Sequence, residues 1–246
     1  MSKVNFIIAG VQKAGTELIS YYLRQHSQIS MPENELHYFD TSISKNDPNF
    51  ERYHDNFKNL NTDKIFGEKT PIYIFYKDCM KKIASYNSNI KLILIFRDPF
   101  DRALSAYNME IIRGNENLTF DQAIKNENMR VKLSDENFRN FSYLNRGYYF
   151  KQLKNCYDLF KKEQILVLNY ENLVNNFQNT MFSIQNFLGC NKENFPNQPK
   201  RVTWSKEKRE IKYDLVTKKL FIDTLKDDYR NFKEETGFKF KNFENV

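Results

Sequence analysis

Cysteine is scarce in this chain. Its three, Cys79, Cys156 and Cys190, are far apart and odd in number. They show neither metal-ligand spacing nor a complete disulfide framework, so reduced structural thiols and no metal site are expected. Glycine and proline are also sparse, at 7 and 6 residues in 246, and no Pro-, Gly- or Ser-rich linker divides the sequence. With no internal repeat, one domain over 1–246 is expected. Long apolar runs are missing as well. None is long enough to cross a bilayer, and the first strand-like run starts at Val4, which leaves no room for a signal peptide. The expectation is a cytoplasmic protein without stable membrane insertion. Charge is not scarce, and the net value is +7. That excess suits a polyanionic cofactor or acceptor, or a Lys- and Asn-rich solvated surface. Basic and acidic residues are interspersed, even across Pro199–Glu210, PKRVTWSKEKRE. This is not the basic stripe of a nucleic-acid binder, and no nucleic-acid partner is expected.

Four short apolar runs read as strands: Val4–Ala9, Lys64–Gly67, Lys91–Phe96 and Gln164–Leu168. KLILIF and ILVLN are β-branched-rich and nearly unbroken, as strands covered on both faces should be. Helical patterns alternate with them: Thr16–Gln25, Ile72–Ser85, Phe100–Arg113, Tyr148–Lys161 and Asn176–Leu188. The alternation predicts an α/β fold with a P-loop-like open, mainly parallel sheet flanked by helices. Ligands of such sheets bind beyond the carboxyl ends of the strands. The loops there are polar: GVQKAGT after the first run, Glu68-Lys69-Thr70-Pro71 after the second, and Arg97 to Arg102 after the third.

The loop Gly10–Thr16 is close to a Walker phosphate loop, G-x-x-x-x-G-K-[ST]. Gly10 and Gly15 have its spacing, but Thr16 stands where the lysine belongs, and Lys13 lies inside the loop. A backbone cradle at a helix N-terminus still suits an anion. The displaced lysine points from ATP and GTP hydrolysis toward another phosphorylated donor. A P-loop kinase or NTPase, and a non-catalytic nucleotide- or glycan-binding module, are the alternatives.

These motifs resemble those of the sulfotransferases that use 3′-phosphoadenosine 5′-phosphosulfate (PAPS), within them most the heparan sulfate N- and 3-O-sulfotransferase branch. GVQKAGT resembles the 5′-phosphosulfate loop. ENELHYFD, Glu33–Asp40, resembles the acidic segment after the first helix. IFRDPFDRALSAY, Ile95–Tyr107, resembles the 3′-phosphate motif, and EKTPIY and VLNYENL follow the family's order. The resemblance implies that Lys13 meets the sulfonate and the bridging oxygen. It places Ala14, Gly15 and Thr16, with Glu17 beside them, on the 5′-phosphate, and Arg97 and Ser105 on the 3′-phosphate. Glu35 matches the general base, and His37 and Lys69 match polar positions beside the sulfonate and acceptor. Lys69 could instead pair with Glu68 or Asp40, and Arg97 with Asp98. PAPS is thus the implied donor and adenosine 3′,5′-bisphosphate the product, with no metal required, and the acceptor is a small molecule or glycan. Glu17 replaces an arginine typical of the 3-O-sulfating enzymes, and an acid there repels an anionic heparan chain. The late segment holds Lys200, Arg201, Lys206, Lys208 and Arg209, any of which could complete the 3′-phosphate site, and Trp204, which could pack on adenine or anchor the segment.

Overall fold

The computed structural model describes residues 3–45, 47–58, 64–195 and 210–244. Its strands are β1 (Phe6–Gly10), β2 (Ile29–Ser30), β3 (Ile65–Lys69), β4 (Lys91–Phe96) and β5 (Ile165–Asn169). Its α-helices are α1 (Thr16–Leu23), α2 (Glu51–Asp55), α3 (Lys77–Tyr86), α4 (Pro99–Ile112), α5 (Phe120–Arg130), α6 (Asp135–Phe141), α7 (Tyr149–Tyr157), α8 (Tyr170–Asn175), α9 (Phe177–Leu188) and α10 (Leu215–Thr236). The chain forms two compact units, Met1–Phe96 with Gln152–Val202, and Arg97–Lys151 with Thr203–Val246.

The first unit holds the sheet. Its order is β2-β3-β1-β4-β5, and every described pairing is parallel. Parallel neighbours need crossovers, and helices on the faces then bury the strands from both sides. That is why β1 is buried throughout and β4 is buried after Lys91. Phe6 and Gly67 face each other across β1 and β3. A Cβ on Gly67 would lie 2.1 Å from Phe6 Cζ, so only glycine leaves room for the ring. The two-residue edge strand β2 adds a fifth member to the four runs expected from sequence. The expected helix Ile72–Ser85 is divided into a 3₁₀ turn, Tyr73–Phe75, and α3. Tyr76 between them is extended, at φ −96° and ψ 108°, and interrupts the helical path. α3 then buries Cys79, Met80, Ile83 and Tyr86, the one-sided spacing of an amphipathic helix.

The second unit is helical. α4 starts with Pro99 at its first turn, and the Asp98 carboxylate accepts from the Phe100 and Asp101 amides at 2.9 and 3.2 Å. Thr119 and Gln122 form a capping box on α5. Glu116 accepts from both terminal nitrogens of Arg130 and from the Tyr143 hydroxyl. α10 buries Thr217, Phe221, Leu225, Tyr229 and Phe232 along one stripe.

Candidate active site

The loop after β1 leaves the middle of the sheet. The Val11 amide donates to the Ile95 carbonyl at 2.9 Å, tying the loop to the end of β4. Lys13 and Gly15 then adopt left-handed backbone angles, φ 73° and 89°. Gly15 is the N-cap of α1, and no side chain caps that helix. The first-turn amides of α1 thus point toward any anion seated there. A Cβ on Gly15 would stand 3.0 Å from Leu173 and 3.2 Å from Tyr170, so α8 backs the loop closely. Asn169 fixes α8 by accepting from the Glu171 and Asn172 amides. Ala14 and Thr16 are buried and Lys13 is half-buried. A left-handed turn running into an uncapped helix N-terminus is a backbone arrangement that suits a phosphate group.

Lys69 reaches the same sheet edge. It pairs in register with Ile8, and the Thr70 amide donates to the Ile8 carbonyl at 3.2 Å. Its side chain is 4% exposed, and its Nζ contacts the carboxylates of both Glu17 and Glu35, the latter at 3.1 Å. Lys69 therefore pairs with neither Glu68 nor Asp40, the partners considered from sequence. Strand alternation sends Glu68 to the opposite face from Lys69, and Asp40 is a partner of His37. Glu17 also lies 3.5 Å from Arg24.

His37 joins two carboxylates. Its Nε2 is 3.3 Å from Glu35 Oε2 and its Nδ1 is 2.9 Å from Asp40 Oδ2. A protonated ring can donate to both. Burial pushes the Glu35 carboxyl up, but the His37 hydrogen bond and the charge and hydrogen bond of Lys69 outweigh it. The carboxyl lies below its ordinary range and stays ionised at neutral pH. Beneath this cluster Glu68 is fully buried and accepts from Tyr53 and Thr70 hydroxyls, each at 2.8 Å. Burial pushes its carboxyl up to about 7, and the two hydrogen bonds offset part of that.

Of the residues expected from sequence, Glu35, His37, Lys69 and Glu17 form one hydrogen-bonded group, and Lys13, Ala14, Gly15 and Thr16 form the loop ahead of α1. Asp40, Tyr53, Glu68 and Thr70 were not assigned roles; the motifs ENELHYFD and EKTPIY hold three of them. Arg97 and Ser105 belong to the second unit. Arg97 directly follows β4, its carbonyl accepts from the Tyr149 hydroxyl at 2.9 Å, and Ser105 is half-buried on α4. Asp98 is occupied as the helix cap and accepts from the Asn242 amide at 2.8 Å. Lys200, Arg201, Trp204, Lys206, Lys208 and Arg209 lie outside the described residues.

Known proteins resemble this chain in sequence and in fold. The human heparan sulfate glucosamine 3-O-sulfotransferase 3B1 is 30% identical over 183 residues, 74% of this chain and 45% of that protein. The chain spans less than half the length of the curated relatives it matches. A sulfotransferase from Alicyclobacillus acidocaldarius has the same fold, with a TM-score of 0.79 over 99% of both chains at 20% identity. Mouse sulfotransferase SULT7A1, solved in complex with PAP, matches with a TM-score of 0.53 and 18% identity over 79% of this chain and 62% of its own. The profile of the sulfotransferase domain matches residues 3–242, nearly the whole sequence, and the chain belongs to that family.

Proposed function

We propose that the two units work as one catalytic domain that transfers a sulfuryl group from PAPS to a hydroxyl or amine of a carbohydrate. The observation that carries the reading is Glu35, kept ionised between His37 and Lys69 at the sheet edge where the glycine loop leaves β1. PAPS supplies the activated sulfuryl group, and adenosine 3′,5′-bisphosphate is the product, the PAP of the mouse complex. Ala14, Gly15 and Thr16 hold the 5′-phosphate with backbone amides and a hydroxyl, and the α1 dipole adds to that field. Glu17 contributes its first-turn amide, since its carboxylate is held by Lys69 and Arg24. Arg97 and Ser105 are assigned the 3′-phosphate on the strength of their motif.

Glu35 takes the proton of the attacking hydroxyl or amine at a carboxylate oxygen, a role that needs its unprotonated form at working pH. His37 and Lys69 orient that carboxylate. Lys13 meets the charge that grows on the leaving oxygen, where a preorganised cation lowers the barrier most. The leaving group is already good, so this chemistry requires no metal.

The acceptor we infer is a sugar without sulfate or carboxylate groups. The named relative acts on a glucosamine of heparan sulfate, which favours a sugar. However, Lys69 and Arg24 are both engaged by Glu17, which leaves them poorly placed to attract a polyanion. Calorimetry with adenosine 3′,5′-bisphosphate against ATP and Mg²⁺ tests the donor. Transfer from PAPS to chitotetraose and its de-N-acetylated form, against an N-sulfated heparan tetrasaccharide, tests the acceptor. Tight metal-free bisphosphate binding and transfer to the unsulfated sugars are expected. Preference for ATP would overturn the donor reading.

A further inference from the structure

The Glu35 segment hangs from the residues that follow β3. The Leu36 amide donates to Thr70 Oγ1 at 3.2 Å, and the Tyr38 amide donates to the Tyr73 hydroxyl at 3.0 Å. Thr70 in turn donates its hydroxyl proton to Glu68 Oε2, and Tyr53 donates to Glu68 Oε1. Glu68 and Thr70 are both completely buried.

We propose that Glu68 is a positioning residue for the transfer: its carboxylate fixes the direction of the Thr70 hydroxyl, and Thr70 fixes the peptide between Glu35 and Leu36. This rests on the reading of Glu35 as the base. A threonine hydroxyl has one proton and two lone pairs. With its proton committed to Glu68, the oxygen presents a lone pair to the Leu36 amide. The peptide plane is then set, and Glu35 is presented to Lys69 and His37 in one orientation.

The choice of an acid carries the argument. Tyr53 and Thr70 both arrive as donors, so their common partner must accept twice. A glutamine would accept from one and offer an N–H to the other. Whichever hydroxyl met the N–H, Thr70 or Tyr53, would lose the acceptor for its own proton. A burial site this dry penalises a carboxylate, and filling space alone would favour an apolar side chain. The carboxylate satisfies both hydroxyls while aiming Thr70 at the catalytic segment, and this form prevails above the raised pKa of about 7.

The test uses Glu68→Gln, Thr70→Val and Thr70→Ser. Each is compared with the parent chain by amide exchange over residues 34–38, bisphosphate calorimetry and single-turnover transfer to de-N-acetylated chitotetraose. Thr70→Val and Glu68→Gln should each speed Leu36 exchange by about tenfold or more, slow transfer about 10–100-fold, and leave bisphosphate affinity within about twofold. Thr70→Ser, which keeps the hydroxyl, should restore both properties. The double variant should be no slower than the worse single one. If Glu68→Gln fails to fold, the two Thr70 variants decide the matter. Parental exchange and transfer in Thr70→Val, or a loss that Thr70→Ser does not repair, would overturn the proposal. Glu35→Gln separates the two readings. Normal transfer there removes the base assignment, whereas a large loss there with unchanged Thr70→Val removes only the positioning role.

Discussion

Lys69 Nζ lies 3.1 Å from Glu35 Oε1, and the lysine is almost entirely buried. A buried cation at that distance favours the ionised carboxyl. Lys69→Met should therefore raise the Glu35 pKa. A base works only when unprotonated, so in the proposed role activity should be lost as pH falls through that pKa. The acid limb of the kcat/KM profile should move to higher pH in Lys69→Met. A limb that stays in place would show that Lys69 does not set the state of the base.

Glu35→Gln and Lys13→Ala should fail in different ways. Glu35→Gln keeps the shape but loses the basic oxygen, so single-turnover transfer should fall about 10²–10⁴-fold with bisphosphate affinity nearly unchanged. Lys13→Ala should weaken both, because in the proposed role that cation meets charge in the bound donor and more in the transition state. Near-normal turnover in Glu35→Gln would move the base elsewhere, with His37 next in line.

Arg97→Ala should discriminate between nucleotides. Loss of a charge-assisted contact costs about 1.5–3 kcal/mol. That loss should appear with adenosine 3′,5′-bisphosphate and hardly at all with adenosine 5′-phosphate. Equal losses in calorimetry would remove Arg97 from the 3′-phosphate.

Stability should fall as pH rises from about 5 to 8. Burial lifts Glu68 and Glu127 to about 7 in the folded chain, against about 4.3 when unfolded. A raised folded pKa gives stability that is complete below the unfolded value and is lost as pH passes through the folded one. Each group contributes on the order of 3 kcal/mol to that change. The lowered carboxyls, Glu35 and Asp47, act in the other direction only at more acidic pH. Urea midpoints at pH 5 and 8 measure the slope, and Glu68→Gln should flatten it. An unchanged slope would mean that Glu68 does not titrate as its burial requires.

Gly15→Ala should harm donor binding before it harms the sheet. The residue has φ 89°, and the new methyl would meet Leu173 at 3.0 Å. The strain falls on the phosphate loop, so bisphosphate affinity should drop about tenfold or more while the far-ultraviolet spectrum stays unchanged. Parental affinity would show that the loop tolerates a side chain.

The strands were legible where burial on both faces made them almost purely apolar, as in KLILIF. Lys91–Phe96 has the bounds expected from sequence, and the other three runs shift by one or two residues. β2 left no readable signal because two residues carry no period. α10 did carry one, the four-residue spacing of Phe221, Leu225 and Tyr229, but it lies beyond the strand–helix alternation that guided the reading. The glycine loop was legible because spacing alone defines it. The ion pair of Glu17 with Lys69 was not. The two are 52 positions apart, and only the register of β1 on β3 brings them together.

The strand order also sets a timetable for synthesis. β1 is made before both of its neighbours, β3 and β4, which are completed only at Lys69 and Phe96. At roughly 5–20 residues per second, the interval from Gly10 to Phe96 lasts about 4–17 seconds. Until β4 is made, FIIAG is an apolar segment that lacks one of its two ladders, and the glycine loop lacks its tie to Ile95. β1 is thus the first strand of its sheet to be made and waits for β4 before both of its ladders exist, so a chaperone that shields it would let go once β4 has emerged.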